Sequence, residues 1–143
     1  MIILDTNVVS EPLKPRPDAA VLAWLNAQAP RSLFITSISL AELFAGIDNL
    51  PDGQRRRALA QSLSAQLLAL FADRVLGFDA SAATAFANIH AQAKRAGNPM
   101  GFADCSIAAI AQAHDFALAT RNLRDFQGTD IRLINPWDHK AQA

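Results

Sequence analysis

The chain holds one cysteine, so no internal disulfide can form, and a reducing compartment is its natural setting. No apolar run approaches the roughly 18 residues of a membrane span. No basic segment leads into a signal-like apolar stretch at the N-terminus either. These absences point to the cytoplasm and away from a membrane. Net charge is absent too, because 13 basic and 13 acidic residues cancel. A protein that coats DNA by bulk electrostatics is more basic than this, so any nucleic-acid contact is expected to be local. No Gly- or Pro-rich linker divides the chain, and no repeat or low-complexity segment interrupts it. What is present is 143 residues, 51% hydrophobic and 18% charged, with frequent alanine. That composition suits packed helices and a single domain over 1–143.

Short apolar runs alternate with longer Ala- and Leu-rich segments, the pattern of an α/β protein. Strands are expected at 2–4, 32–36, 74–78, 116–120 and 131–134. Helices are expected over about 18–28, from Ser37 with Leu40, Leu43, Phe44 and Ile47 on one face, and over about 53–72 with Leu59, Leu63, Leu67 and Leu70. Asp79 reads as the N-cap of a helix over 80–96 closed by Gly97, and a last helix covers about 102–114. Strands separated by helices pair in parallel with right-handed crossovers. The expected fold is a three-layer α/β/α sandwich with a mainly parallel sheet of about five strands.

The apolar run Ile2-Ile3-Leu4 ends abruptly at Asp5. A strand apolar on both faces lies mid-sheet, where an unpaired carboxylate costs several kcal/mol. In an open parallel sheet, ligands bind beyond the carboxyl ends of the strands. Asp5, Thr6 and Asn7 fall there, as do Glu42 one turn after Thr36-Ser37, Asp104 at the head of the last helix, and Thr120-Arg121-Asn122. Each has a plain structural reading. Ser39-Leu40-Ala41-Glu42 fits a capping box, Asp104 complements a helix dipole, and Asp5 and Asn7 suit turns. Asp104, however, shares a helical face with Ile107, Ala108 and Ala111, which turns it toward the sheet.

Convergence on one rim needs a counter-charge. Two carboxylates ~4 Å apart repel by ~4 kcal/mol at an effective dielectric of 20. No Lys or His stands next to any of the three acids. A hard divalent cation such as Mg²⁺, which takes oxygen ligands and keeps several waters, answers that need. A carboxylate-held metal with open water positions is suited to phosphodiester hydrolysis.

The ordered set I-L-D-T-N at 3–7, S-x-x-x-A-E-L at 37–43, A-D-x-x-I-A-A at 103–109 and A-T-R-N-x-x-D-F at 119–126 resembles a PIN-domain ribonuclease. It is most similar to the VapC toxins, in particular their FitB-like branch, whose C-terminal I-N-P-W is similar to Ile134–Trp137. The resemblance implies a Mg²⁺- or Mn²⁺-dependent endoribonuclease, the toxin of a type II toxin–antitoxin pair. RNA is then the substrate and a cognate antitoxin the partner, with DNA reached only through that antitoxin, and a homodimer is expected. The apolar helices over 18–28 and 37–72 are candidate surfaces for it. Residue by residue, the resemblance puts Asp5 and Asp104 at the principal metal-ligand positions and Glu42 at the third acidic one. Thr6, Asn7 and Thr120 match polar positions that orient carboxylates and water. Asn122 matches a fourth catalytic position that is Asp in some relatives, which removes a charge and favours one metal over two.

Other candidates read as structural. Arg55-Arg56-Arg57 is expected on a solvated helix face, and His90, His114 and His139 lack metal-ligand spacing. Cys105 has no neighbouring His to make it a nucleophile, and Trp24, Trp137 and Phe86 read as core or interface anchors. Arg121, one residue from the rim, suits either a substrate phosphate or an ion pair. Rival functions fit less well. A haloacid-dehalogenase-like phosphatase wants a second Asp where Asn7 stands, and a receiver domain wants a Lys where Asn135-Pro136-Trp137 stands. A non-catalytic PIN-fold binding module would not need Asp5, Glu42 and Asp104 intact.

Overall fold

Strand β1 (Ile2–Leu4) is buried along its whole length because it has a parallel neighbour on each side. The computed structural model describes residues 1–140; the last three residues of the expected 1–143 domain lie outside the described residues. Beside β1 run β2 (Leu33–Thr36) and β4 (Ala117–Ala119), flanked by β3 (Val75–Leu76) and β5 (Leu133–Ile134). The order is β3-β2-β1-β4-β5, and every pairing is parallel, as expected. Ile2 aligns with Leu33 and Ala117, Ile3 with Phe34 and Leu118, and Leu4 with Ala119.

Alternation along the strands feeds two cores. Ile2 and Leu4 join Ile35, Trp24, Leu43, Leu63 and Phe71 on one face, while Ile3 and Leu118 join Ile89, Ile107 and Ile110 on the other. Each such side chain stabilises the fold by about 1.5–3 kcal/mol when fully buried, so three-residue strands suffice. The first face is covered by α1 (Thr6–Ser10), α2 (Ala19–Ala27), α3 (Ser37–Asp48) and the segment Leu63–Leu67, which joins α4 (Gln54–Ser62) to α5 (Leu68–Leu70). The second is covered by α6 (Ala80–Arg95) and α7 (Phe102–His114), where small Ala108, Ala109 and Ala111 are wholly buried. The three layers are those the sequence implies.

Capping residues set several boundaries. Asp18 accepts from the N–H groups of Ala20 and Val21, and Asp79 from that of Ala82 (2.9 Å). Gly97, at φ +74°, closes α6, with Asn98 N–H donating to Ala93 O at 2.9 Å.

The expected helix over 53–72 is not continuous. Leu63–Leu67 forms a π turn between α4 and α5, and the helix stops at Leu70. The wider turn lets Leu63 and Leu67 face the core while Leu70 stays 55% exposed. Buried Arg74 ends it, donating to Leu70 O and to Leu33 O at 2.6 and 2.9 Å. Arg56 lies against Asp52 and Asp48, a surface charge cluster at the start of α4. Cys105 is buried, and burial pushes its thiol up, away from a reactive thiolate. Phe86 joins Phe78, Phe102 and the stacked His90 in an aromatic cluster, with Phe102 itself 69% exposed.

Candidate active site at the carboxyl edge of the sheet

The Asp5 N–H donates to Ala119 O (2.9 Å), continuing the β1–β4 pairing one residue beyond the strand. The Asp5 side chain then caps α1: Oδ1 accepts from Thr6 N–H at 2.8 Å. Oδ2 accepts from the buried Thr120 hydroxyl at 2.7 Å and, at a longer 3.4 Å, from the Asn7 amide. Burial pushes this carboxyl above its ordinary range. The bonds from Thr120 and Thr6 pull it back, and the charge of Glu42 pushes it up again.

Glu42 is not the cap its S-x-x-E context suggests. Thr36 takes the N-cap of α3, its Oγ1 accepting from Ser39 N–H at 3.1 Å, so Ser39 lies inside the first turn and Glu42 in the second. The Glu42 carboxylate instead accepts from the Thr6 hydroxyl at 2.7 Å, with Ser39 Oγ 3.0 Å from that same oxygen. Thr6 thus ties the end of β1 to α3 and fixes where Glu42 sits.

Asp104 stands in the first turn of α7 but does not cap it; Gly101 is the N-cap. Among the described residues no hydrogen bond reaches its carboxylate. Its pKa is raised to about 6, first by burial and then by the charges of Asp5, Asp125 and Glu42. Three acids from separate parts of the chain therefore act on Asp104, and among the described residues no ion pair reaches it. Among the described residues, no three His, Cys, Asp or Glu side chains close into a ready-made metal cage. The charges of Asp5, Glu42 and Asp125 nonetheless reach Asp104.

Asp125 is the residue sequence reasoning passed over. It lies in the 3₁₀ turn Leu123–Phe126, exposed, and supplies a fourth carboxylate. Asn122 sits at the head of that turn with its backbone N–H on Thr120 Oγ1 (3.1 Å), and among the described residues its side chain bonds to none of the acids. The charge that Asn122 does not carry is supplied three residues later, by Asp125. The D in R-N-x-x-D-F was the available signal: one helical turn brings the third residue back to the same side. The acids, hydroxyls and amide together form an oxygen-rich, net-negative donor set, which is the chemistry a hard divalent cation requires.

Comparison with known proteins identifies the family of the chain. The family model described as "PIN domain" matches residues 2–131. The chain is 45% identical to "VapC ribonuclease Y4jK" of Sinorhizobium fredii, over 96% of this chain and 99% of the relative. It is 40% identical to "Toxin FitB" of Neisseria gonorrhoeae, over 96% and 99% of the two. The solved structure "FitAB bound to IR36 DNA fragment" superposes with a TM-score of 0.93 at 37% identity, covering all of both chains (100% and 100%).

Proposed function

The chain belongs to the PIN-domain family, and we propose that it is a divalent-metal-dependent endoribonuclease, the toxin of a toxin–antitoxin pair. The observation that carries this reading is Asp104, an unbonded carboxylate pushed up to about 6 by burial and by its acidic neighbours. Such a group gains most from a bound cation.

Asp5 and Asp104 would hold Mg²⁺ or Mn²⁺, with Glu42 and Asp125 completing the negative field. A loose carboxylate rim suits Mg²⁺, which keeps several of its own waters and accepts few protein ligands. When bound, the ion supplies Lewis-acid polarisation of a phosphoryl oxygen and makes water acidic enough to attack. The chain's own contribution is orientation. Thr120 and Thr6 N–H fix both oxygens of Asp5, and the Thr6 hydroxyl fixes Glu42. Asn122 would touch the substrate side of the rim through its amide. Among the described residues no helix is long and apolar enough to cross a membrane, and a cytoplasmic setting follows from this function. Exposed Phe44, Leu68 and Leu70 support homodimerisation through α3 and α5.

Glu42→Gln separates a cap from a charge. Gln keeps a cap acceptor. Because Glu42 instead accepts from Thr6 near the acids, the variant is expected to lose about 10–100-fold in kcat with an unchanged melting temperature. Cleavage of a labelled RNA beside a thermal melt measures both.

The same pocket offers the antitoxin a handle. An Arg or Lys on an antitoxin tail can pair with Asp5, Glu42 or Asp104 and compete with the metal, while an apolar segment across the helices supplies the affinity. Any DNA contact would run through that partner. High Mg²⁺ is then expected to restore RNA cleavage without dissociating the complex, read by cleavage and by light scattering on one sample. Removing the basic residue of the tail is expected to free cleavage in a complex that still forms. A complex that stays silent in both cases places inhibition elsewhere.

A further inference from the structure

Arg121 and the C-terminal turn after β5 are two features that the acid cluster does not use, and the fold joins them. Thr120 N–H donates to Ile134 O at 2.9 Å, so the residues following β4 and β5 leave the sheet side by side. Asn135 shapes the next turn, its Oδ1 accepting from Trp137 N–H at 3.0 Å. Pro136 is buried, and Trp137 is packed against the core that contains Val9 and Trp24. The Arg121 guanidinium lies over the Trp137 ring, 5.1 Å from its centroid. On its other side, the Arg121 backbone N–H donates to Asn7 Oδ1 at 3.3 Å, and the Asn7 amide reaches Asp5.

The guanidinium is held but not neutralised. Among the described residues it ion-pairs with no carboxylate. Glu11 feels its charge, yet the Glu11 carboxylate is already engaged by Lys14 at 2.8 Å and by Asp18 N–H at 3.0 Å. Stacking on an indole immobilises a flexible side chain while leaving its forked donors open. The chain has no net charge to draw in a polyanion, and its acidic rim repels one. A cation anchored on Trp137, on the residue that follows Thr120 in the chain, answers both problems.

We propose that Arg121, laid on Trp137, binds a backbone phosphate of the RNA strand beside the one held at the acids, with Trp137 as its positioning residue. This rests on the ribonuclease reading above. A guanidinium suits the task because it can contact two phosphate oxygens at once.

The test uses a fluorescein-labelled single-stranded RNA oligonucleotide, with Mg²⁺, and the Asp104→Asn protein as a non-cleaving background. Arg121→Gln is expected to weaken binding by roughly 10–100-fold. It should also make the slope of log affinity against log salt shallower by about 0.7, the loss of one phosphate contact on a single strand. In the cleaving protein the same change raises KM far more than it lowers kcat. Arg121→Lys keeps the salt slope and loses part of the affinity. Trp137→Leu weakens binding only where Arg121 is present, and Trp137→Phe restores most of it.

A merely structural Arg121 would lower the melting temperature and leave the salt slope unmoved, which overturns the proposal. An unchanged KM and slope in Arg121→Gln, while wild type cleaves cellular RNA, overturns the phosphate arm and leaves the ribonuclease reading standing. An Arg121-dependent slope in a chain that cleaves no RNA upholds the arm and overturns the ribonuclease reading.

Discussion

Asp104→Asn is expected to leave a folded protein that cleaves RNA at least about 10²–10³-fold more slowly than wild type. That floor is the loss seen when a single charge-stabilising donor is removed, and a metal ligand does more. The fold should tolerate the change well, since no hydrogen bond among the described residues holds the Asp104 carboxylate and three other acids oppose its charge. Asn removes that charge at almost constant shape. Asp5→Asn should be equally inactive but structurally less neutral. Both Asp5 oxygens accept hydrogen bonds, from Thr6 N–H on one side and from Thr120 and Asn7 on the other. An amide can accept at only one end, so its NH₂ must face a donor. The pair of variants thus gives one activity result and two stability results. A wild-type rate in either removes the metal assignment.

The second expected result concerns stability without metal. Metal-free protein should melt at a higher temperature at pH 5.5 than at pH 7.5. The folded Asp104 holds its proton up to about 6, whereas in the unfolded chain it releases it near 3.8. Between those values the native state binds more protons, so stability falls as pH rises. Asp5, also pushed up by burial, acts in the same direction. Glu11 acts oppositely, because the hydrogen bond from Lys14 holds it below its ordinary 4.5 and its contribution is lost only in stronger acid.

Mg²⁺ should reverse the neutral-pH deficit. A ligand at about 100 times its dissociation constant stabilises by about 2.7 kcal/mol. That gain should fade as pH drops through 6, because a protonated Asp104 no longer binds the ion. In Asp104→Asn, both the Asp104 part of the pH trend and the Mg²⁺ gain should largely disappear. Melts at the two pH values, with Mg²⁺ or with chelator, read all of this. Metal-free protein that is more stable at pH 7.5 would mean the carboxylates are not crowded as described.

Much of this was legible because local chemistry and tertiary position agreed. Ile2-Ile3-Leu4 is apolar on both faces because the strand is central, and Asp5 stands where that strand leaves the sheet. Asp79 and Gly97 bracket α6 as cap residues should. What escaped reading depended on contacts across the fold. Leucines four apart look alike in an α-helix and in a π turn, and only the buried Arg74 head group ends the segment at Leu70. At the site, the S-x-x-E pattern misled by three residues because Thr36, a strand residue, took the cap in place of Ser39. Asp125 was hidden because a 3₁₀ turn, not sequence proximity, brings its charge to Asp104.

The central claim is that these acids work through a divalent metal on RNA. The most direct measurement maps fragment ends after wild-type protein meets total cellular RNA, with Mg²⁺ and with excess chelator. Discrete cuts with Mg²⁺, none with chelator, and their return when Mg²⁺ is added back are the predicted result. Cuts that persist in excess chelator, or no cut in any RNA with Mg²⁺ or Mn²⁺ present, would contradict it.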